Sequence, residues 1–264
     1  MHHSIFIPSW DDLIEHLRTA KVQDGWAGHD LSSEQRDPYY TKWTGAESLD
    51  HAIHLAVHGC PVIRDRMDAA VAALPVEQVI EWEFAPVGVL PCIPAYAAGT
   101  PESMMFPVEI ERQTRIARIC VNISASASVS PDAIIQRGAA IVALIDRLQI
   151  EGWRIELSVV DQSNHGNDTS SYRIVVKQSQ EPIDMDRISF ALAHPSMLRR
   201  VLFRIHETVF PRYDPGYGSP ANLPQHLTDA DLNIPHIDHK QVDQMKQVGP
   251  NALVEGLWAQ AVGA

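Results

Sequence analysis

Two stretches of the chain mix aromatic and basic side chains densely enough to hold a nucleic acid. One is Arg36, Tyr39, Tyr40, Lys42 and Trp43. The other is Arg199, Arg200, Arg204, Arg212, Tyr213 and Tyr217, which Arg112, Arg115 and Arg118 extend. The chemistry is that of a single strand: cations follow the phosphates while rings stack on bases, each stack worth roughly 1–3 kcal/mol. On a helix, Arg200 and Arg204 share one face and Arg199 lies about 100° away, so Arg200 and Arg204 are the expected phosphate contacts. The competing reading is that loop Tyr and Trp residues cover the edge of a core, and that Arg pairs with acids, which this chain has in excess.

Asn122, Ser124 and Ser126 form a second constellation, placed where a strand ends and a loop runs into a long helix. Open α/β sheets bind ligands at such places. The pattern resembles the Asp-x-Ser-x-Ser metal-binding loop of von Willebrand factor A-type domains, and the following helix and strand have matching spacing. Asn122 departs from that pattern, because it lacks the carboxylate a hard cation prefers. The serines are therefore expected to satisfy the loop backbone, with no metal bound. His51, His54 and His58 lie within about 60° of one another on a helix, but Ala52, Ile53 and Ala56 claim the buried side, which leaves the histidines as a solvated stripe. His236 and His239 make a weaker case. No GxxxxGK[ST], GxGxxG after a strand, HExxH or GxSxG occurs, so no catalytic residue and no cofactor are expected.

Several elements must position these residues. Ser9 caps a first helix carrying Leu13, Ile14 and Leu17. Residues 22–46 hold Gly25, Gly28, Pro38 and Gly45 and read as a long loop. A helix follows over 48–58 with Gly59 past its end, then a shorter one over 64–74. Residues 79–84 alternate as a strand, and irregular Pro-rich chain extends to 107. The second half is more regular. It has a strand over 116–123 and a helix capped by Ser130 with Pro131 at its first position, ending at Gly152. A strand over 153–160, a turn over 162–170 and a strand over 172–177 come next. Helical signals cover 184–193 and 195–209, and a short helix is expected over 252–261. This β-α-β-β-α order predicts a layered α/β core with a central sheet over residues 111–225. A helical and irregular part over 1–110 packs on it, a C-terminal extension covers 226–264, and the whole is expected to form one compact unit. The near-continuous apolar run of 116–123 suits an interior strand.

Length and composition bound the rest. With 264 residues, 45% hydrophobic and 20% charged, the chain is neither disordered nor too small for a sizeable core. No apolar run approaches a membrane span, and the N-terminal segment lacks the pattern of a signal peptide. Cys60, Cys92 and Cys120 form no CxxC pair, which argues for a reducing compartment. The net charge of −12 excludes an overall basic surface of the histone kind but permits a local basic groove. Charge is segregated: residues 67–111 hold seven acids and no Lys or Arg, and residues 187–217 hold five Arg against two acids.

The segments WTGAESLDHAIHLAVHG (43–59), RICVNISASASVSPDAIIQRGAAIVALIDRLQIEGWRIEL (118–157), IDMDRISFALAHPSMLRRVLF (183–203) and GYGSPANLP (216–224) together resemble a family of proteins encoded by tailed bacteriophages. In length and character the chain is similar to the single-stranded DNA-binding RNA polymerase cofactors of podophages that carry a giant virion RNA polymerase. The resemblance implies that single-stranded DNA at melted promoters and a phage RNA polymerase are the partners. It also implies action in the cytoplasm of the infected bacterial host, with no membrane partner and with self-association open. It implies no contact residue. Two alternatives stand beside it: a von Willebrand A-like protein-interaction module that binds no DNA, and an enzyme of unrecognised class.

Overall fold

The computed structural model describes residues 2–26, 30–72, 82–107, 115–212, 216–222 and 228–248, with a few positions beyond 251. The chain divides into two compact units, one of residues 1–74 with 116–264 and the other of residues 75–115. The N-terminal 74 residues therefore belong to the same unit as the α/β core.

The larger unit is built on a mixed sheet. Its strands are β1 (His2–Ile7), β5 (Arg115–Asn122), β6 (Trp153–His165), β7 (Asp168–Lys177) and β9 (Leu232–Ile234), in the spatial order β1-β7-β6-β5-β9, with the two-residue β8 (Ser219–Pro220) paired to β6. β5 is thus an interior strand, as its apolar run predicts. Ile119, Val121 and Ile123 are buried, and Ile119–Val121 pair in parallel with Leu232–Ile234. β1 runs parallel to β7 from His2 opposite Thr169 to Ile7 opposite Ile174.

β6 and β7 form a long antiparallel hairpin. The turn expected over 162–170 is much shorter, because β6 continues to His165 and β7 starts at Asp168. Polar residues extend these strands because their side chains are accommodated in the interior. Asp161, Gln162, Ser163, Ser170 and Ser171 are all buried.

The helices obey their caps. α1 (Trp10–Thr19) starts at Ser9, whose side chain accepts from the Asp12 N–H, and buries Leu13, Ile14 and Leu17. α3 (Leu49–His58) is capped by Ser48 and ends at Gly59, whose φ of 82° favours glycine. α4 spans Pro61–Ala72. α6 (Pro131–Ile150) starts from Ser130, which accepts from the Ala133 N–H. α7 (Met185–Ala193) starts from Asp184. α6 packs on β6, α4 and α7, and α1 packs on β7. The α6–α7 crossing is close because Gly138 faces Ala193, where an added Cβ would sit 2.4 Å from the Ala193 Cβ.

The long loop expected over 22–46 holds regular structure. It contains a 3₁₀ turn over Asp24–Trp26 and the helix α2 (Pro38–Thr44). Asp37 caps α2, accepting from the Tyr39 and Tyr40 N–H groups, Pro38 fixes its first turn and Gly45 ends it at φ 80°. The helix expected over 195–209 is a π-helical segment, Met197–Leu202, continuing into α8 (Phe203–Val209). All six residues of the π segment are buried. α9 (His239–Val248) has no counterpart among the expected elements. The short helix expected over 252–261 falls mostly outside the described residues.

The smaller unit holds β2 (Trp82–Ala85), β3 (Leu90–Pro91) and β4 (Met104–Pro107) in the order β2-β4-β3, with the short helix α5 (Ile93–Ala97). β2 overlaps the strand expected over 79–84, and the chain expected to be irregular after it supplies β3 and β4 of this small antiparallel sheet. Among the described residues, no helix is long and apolar enough to cross a membrane.

Candidate functional site

The first aromatic stretch stands on α2. Tyr39 is 76% exposed, Lys42 is exposed, and Tyr40 and Trp43 are half-buried. Their rings meet edge to face, Tyr39 to Tyr40 at 6.1 Å and Tyr40 to Trp43 at 5.8 Å. The row continues inward from Trp43 to Phe203 at 6.3 Å, and Phe203 stacks on Tyr217 at 4.0 Å. The inner rings are pinned. Trp43 Nε1 donates to the Ala127 carbonyl at 3.0 Å. The Tyr217 hydroxyl donates to Glu207 at 2.5 Å and accepts from the Ser32 N–H at 3.0 Å.

The second stretch is placed differently from its expectation. Arg199 and Arg200 do not line a groove: they are 1% and 0% exposed. Arg199 donates to the carbonyls of Trp43 and Val129 and lies 4.3 Å from the Trp43 ring centroid. Burial lowers its pKa to about 10, so it stays cationic at neutral pH. Arg200 Nε donates to Ala46 at 3.1 Å. Its Nη1 donates to Ser33 at 2.7 Å, and its Nη2 to Gln35 and Ala46 at 2.7 and 2.8 Å, always to backbone carbonyls. The physical reason is that the π segment is buried throughout, so its guanidiniums bond backbone carbonyls, most of them in α2 and the chain flanking it. Arg204, one turn on, is 14% exposed at its side chain and pairs with Glu34 at 2.9 Å and Glu207 at 3.8 Å. It too is unsuited to hold a phosphate. Arg212 is exposed, 5.9 Å from the buried Trp26 ring. Arg115 is exposed at the start of β5. Arg112 and Tyr213 lie outside the described residues.

A cleft of about 380 Å³ opens at the carboxyl end of β5, with Trp43, Ser126, Asp161, Ser163, Phe203 and Tyr217 among its lining residues. Its size falls in the ~300–1,000 Å³ range of small-molecule sites. Asp161 is 3% exposed and accepts from the Ser124 hydroxyl at 2.5 Å. Burial pushes its carboxyl up, opposed by hydrogen bonds from Ser124 and Tyr172. Glu207 is fully buried and is also raised by burial, against bonds from Ser33 and Tyr217 and the charge of Arg204. Behind them the Tyr172 hydroxyl meets His206 Nδ1 at 3.2 Å, and the His206 pKa is driven down to about 3, chiefly by burial.

The loop after β5 is tied to protein. Asn122 Oδ1 accepts from the Ser124 N–H, and its Nδ2 donates to the Ala221 carbonyl. Ser126 and Ser128 share a hydrogen bond, and Ser128 meets His239. Among the described residues, no group of three or more His, Cys, Asp or Glu side chains is placed to share a metal ion. His54 and His58 are exposed on α3 with rings 4.5 Å apart.

Sequence reasoning missed Asp161, Ser163, Phe203 and Glu207. One signal points to the first two, an acid and a serine that follow Val159 and Val160 closely in the sequence, where a buried polar side chain must find partners.

The chain belongs to a family described as a domain of unknown function, DUF7192, whose model matches residues 2–258. No curated protein and no solved structure matches it.

Proposed function

We propose that the protein binds single-stranded DNA as a cofactor that helps a phage RNA polymerase engage melted promoter DNA. The carrying observation is the ring row of α2. Tyr39 and Tyr40 stand at the surface beside the exposed Lys42 and lead through Trp43 into an aromatic cleft. Single-strand binders combine such stacking platforms with nearby cations. The cations on this reading are Arg36, Lys42 and Arg212, each exposed, and not the internal Arg199 and Arg200. Phosphate contacts are accordingly few and stacking carries more of the affinity. The acidic remainder of the surface disfavours duplex DNA and suits a protein partner. On the resemblance to phage proteins, this activity belongs to the cytoplasm of the infected bacterium and calls for no catalytic step, cofactor or metal. The test is a gel shift of single-stranded against duplex DNA at two salt concentrations. Preferential single-strand binding supports the reading, and equal or absent binding refutes it.

A second reading, a protein-interaction module without DNA binding, is favoured by one observation. The Asn122–Ser126 loop sits at the carboxyl end of an interior strand beside a buried carboxylate, where such modules present their ligand loop. Failure of the gel shift would leave this reading in place.

A further inference from the structure

The cleft at the end of β5 carries a more specific reading, which rests on the single-strand proposal for its source of ligand. Its wall is aromatic and rigid. Trp43 is fixed by Ala127 and the Arg199 guanidinium, Tyr217 is fixed by Glu207 and Ser32, and Phe203 stacks on Tyr217 with its ring plane only 13° away. Its floor is polar. Asp161 and Ser163 stand two residues apart on β6, so both project to the same side of the strand, and both line the cleft. Asp161 already serves as an acceptor, for the Ser124 hydroxyl, and a carboxylate offers a ligand acceptor positions only. A ligand suited to this geometry is planar, has an aromatic face for the wall, and carries N–H donors on one edge for the floor.

We propose that the cleft binds one unstacked, amino-bearing nucleobase, its ring against the Trp43–Phe203–Tyr217 wall and its amino edge toward Asp161. Cytosine, adenine and guanine each present such an amino group; thymine presents none, and its one edge N–H stands between two carbonyl oxygens that the carboxylate repels. The site therefore reads a chemical class of base at one position, while Tyr39 and Tyr40 stack without discrimination on the bases that follow. A free nucleotide offers the same ring and the same edge, so the source of the base is decided by experiment.

The test compares oligo(dC) with oligo(dT) of equal length, and dCMP with dTMP, on the full chain. Binding is followed by tryptophan fluorescence, and circular dichroism checks each variant. The wild type is expected to bind oligo(dC) roughly tenfold more tightly than oligo(dT). Asp161→Asn, whose amide both donates and accepts, is expected to lose most of that preference. Phe203→Leu, at a half-buried wall position, is expected to weaken oligo(dC) binding roughly tenfold; it decides the matter if Asp161→Asn fails to fold. Equal affinity of the wild type for the two oligonucleotides overturns the cleft assignment and leaves the single-strand reading standing. The cleft assignment is overturned in the same way if Phe203→Leu binds oligo(dC) as tightly as the wild type. If dCMP binds in preference to dTMP but no strand binds, the cleft assignment holds with a free nucleotide as ligand and the single-strand reading fails. If neither strand nor nucleotide binds, both fail.

Discussion

Arg200→Ala separates an internal strut from a phosphate contact. The Arg200 guanidinium makes four hydrogen bonds to the carbonyls of Ser33, Gln35 and Ala46, and the side chain is fully buried. Truncation takes this donor from the Ser33 and Gln35 carbonyls, each costing about 1–3 kcal/mol, and opens a void, while the Ala46 carbonyl keeps the Thr44 hydroxyl at 2.9 Å. Water entering the void recovers part of this, so the expected loss is about 3–5 kcal/mol. That is a large share of the roughly 5–15 kcal/mol that holds a typical domain together. Arg200→Lys keeps the charge but replaces a planar fork with one ammonium, so it is expected to recover less than half of the loss. Urea denaturation followed by circular dichroism measures both. The salt dependence of DNA binding by the remaining folded protein should match the wild type. A loss under about 1 kcal/mol, or a flattened salt slope with intact stability, would refute the assignment of Arg200 to the interior.

Other parts of the molecule yield two more expectations. Tyr39→Ala with Tyr40→Ala is expected to weaken single-strand binding by about 1–3 kcal/mol per lost stack while leaving the salt slope unchanged, because stacking releases few ions; unchanged affinity in a folded variant counts against α2 as the platform. Acid should destabilise the fold. Burial lowers the His194 and His206 pKa values to about 4 and 3, so below pH 6.5 the unfolded chain takes protons that the folded chain refuses. Stability then falls as pH falls from 6.5 toward those values, by up to about 1.4 kcal/mol per pH unit for each histidine. The raised carboxyls of Asp161 and Glu207 act oppositely, since the folded state takes their protons first, and they offset part of this between their folded values and the ordinary carboxylate range. Thermal melts at pH 7 and pH 5 check the sign, and a melting point that does not drop at pH 5 contradicts it.

The elements with strong local signals are legible in the sequence. Ser9 and Ser130 cap the helices they announce, and the apolar run of β5 places it inside the sheet. The π segment is not legible, because its arginines carry the pattern of a solvated face, whereas the Trp43 and Ala46 carbonyls they bond lie more than 150 residues away in sequence. No local pattern records which loop will fold over a helix. α2 is hidden by its glycine and proline content, although Asp37-Pro38 at its start and Gly45 at its end are sound boundary signals. At the site, Tyr39, Tyr40, Lys42 and Trp43 stand out because loop aromatics beside cations are visible in one dimension. Asp161 and Phe203 do not, because the cleft is assembled from β6, α8 and the chain around Tyr217, and only the tertiary structure brings them together.

The most direct test of single-strand binding is the salt dependence of the wild-type protein's affinity for a single strand. Counterion release contributes a slope of roughly 0.7 per phosphate contact on single strands. With the exposed Arg36, Lys42 and Arg212 as the proposed phosphate contacts, log affinity against log salt should fall with a slope no steeper than about −2, and duplex DNA should bind far more weakly. No detectable single-strand binding, or tighter binding to duplex, would contradict the central claim.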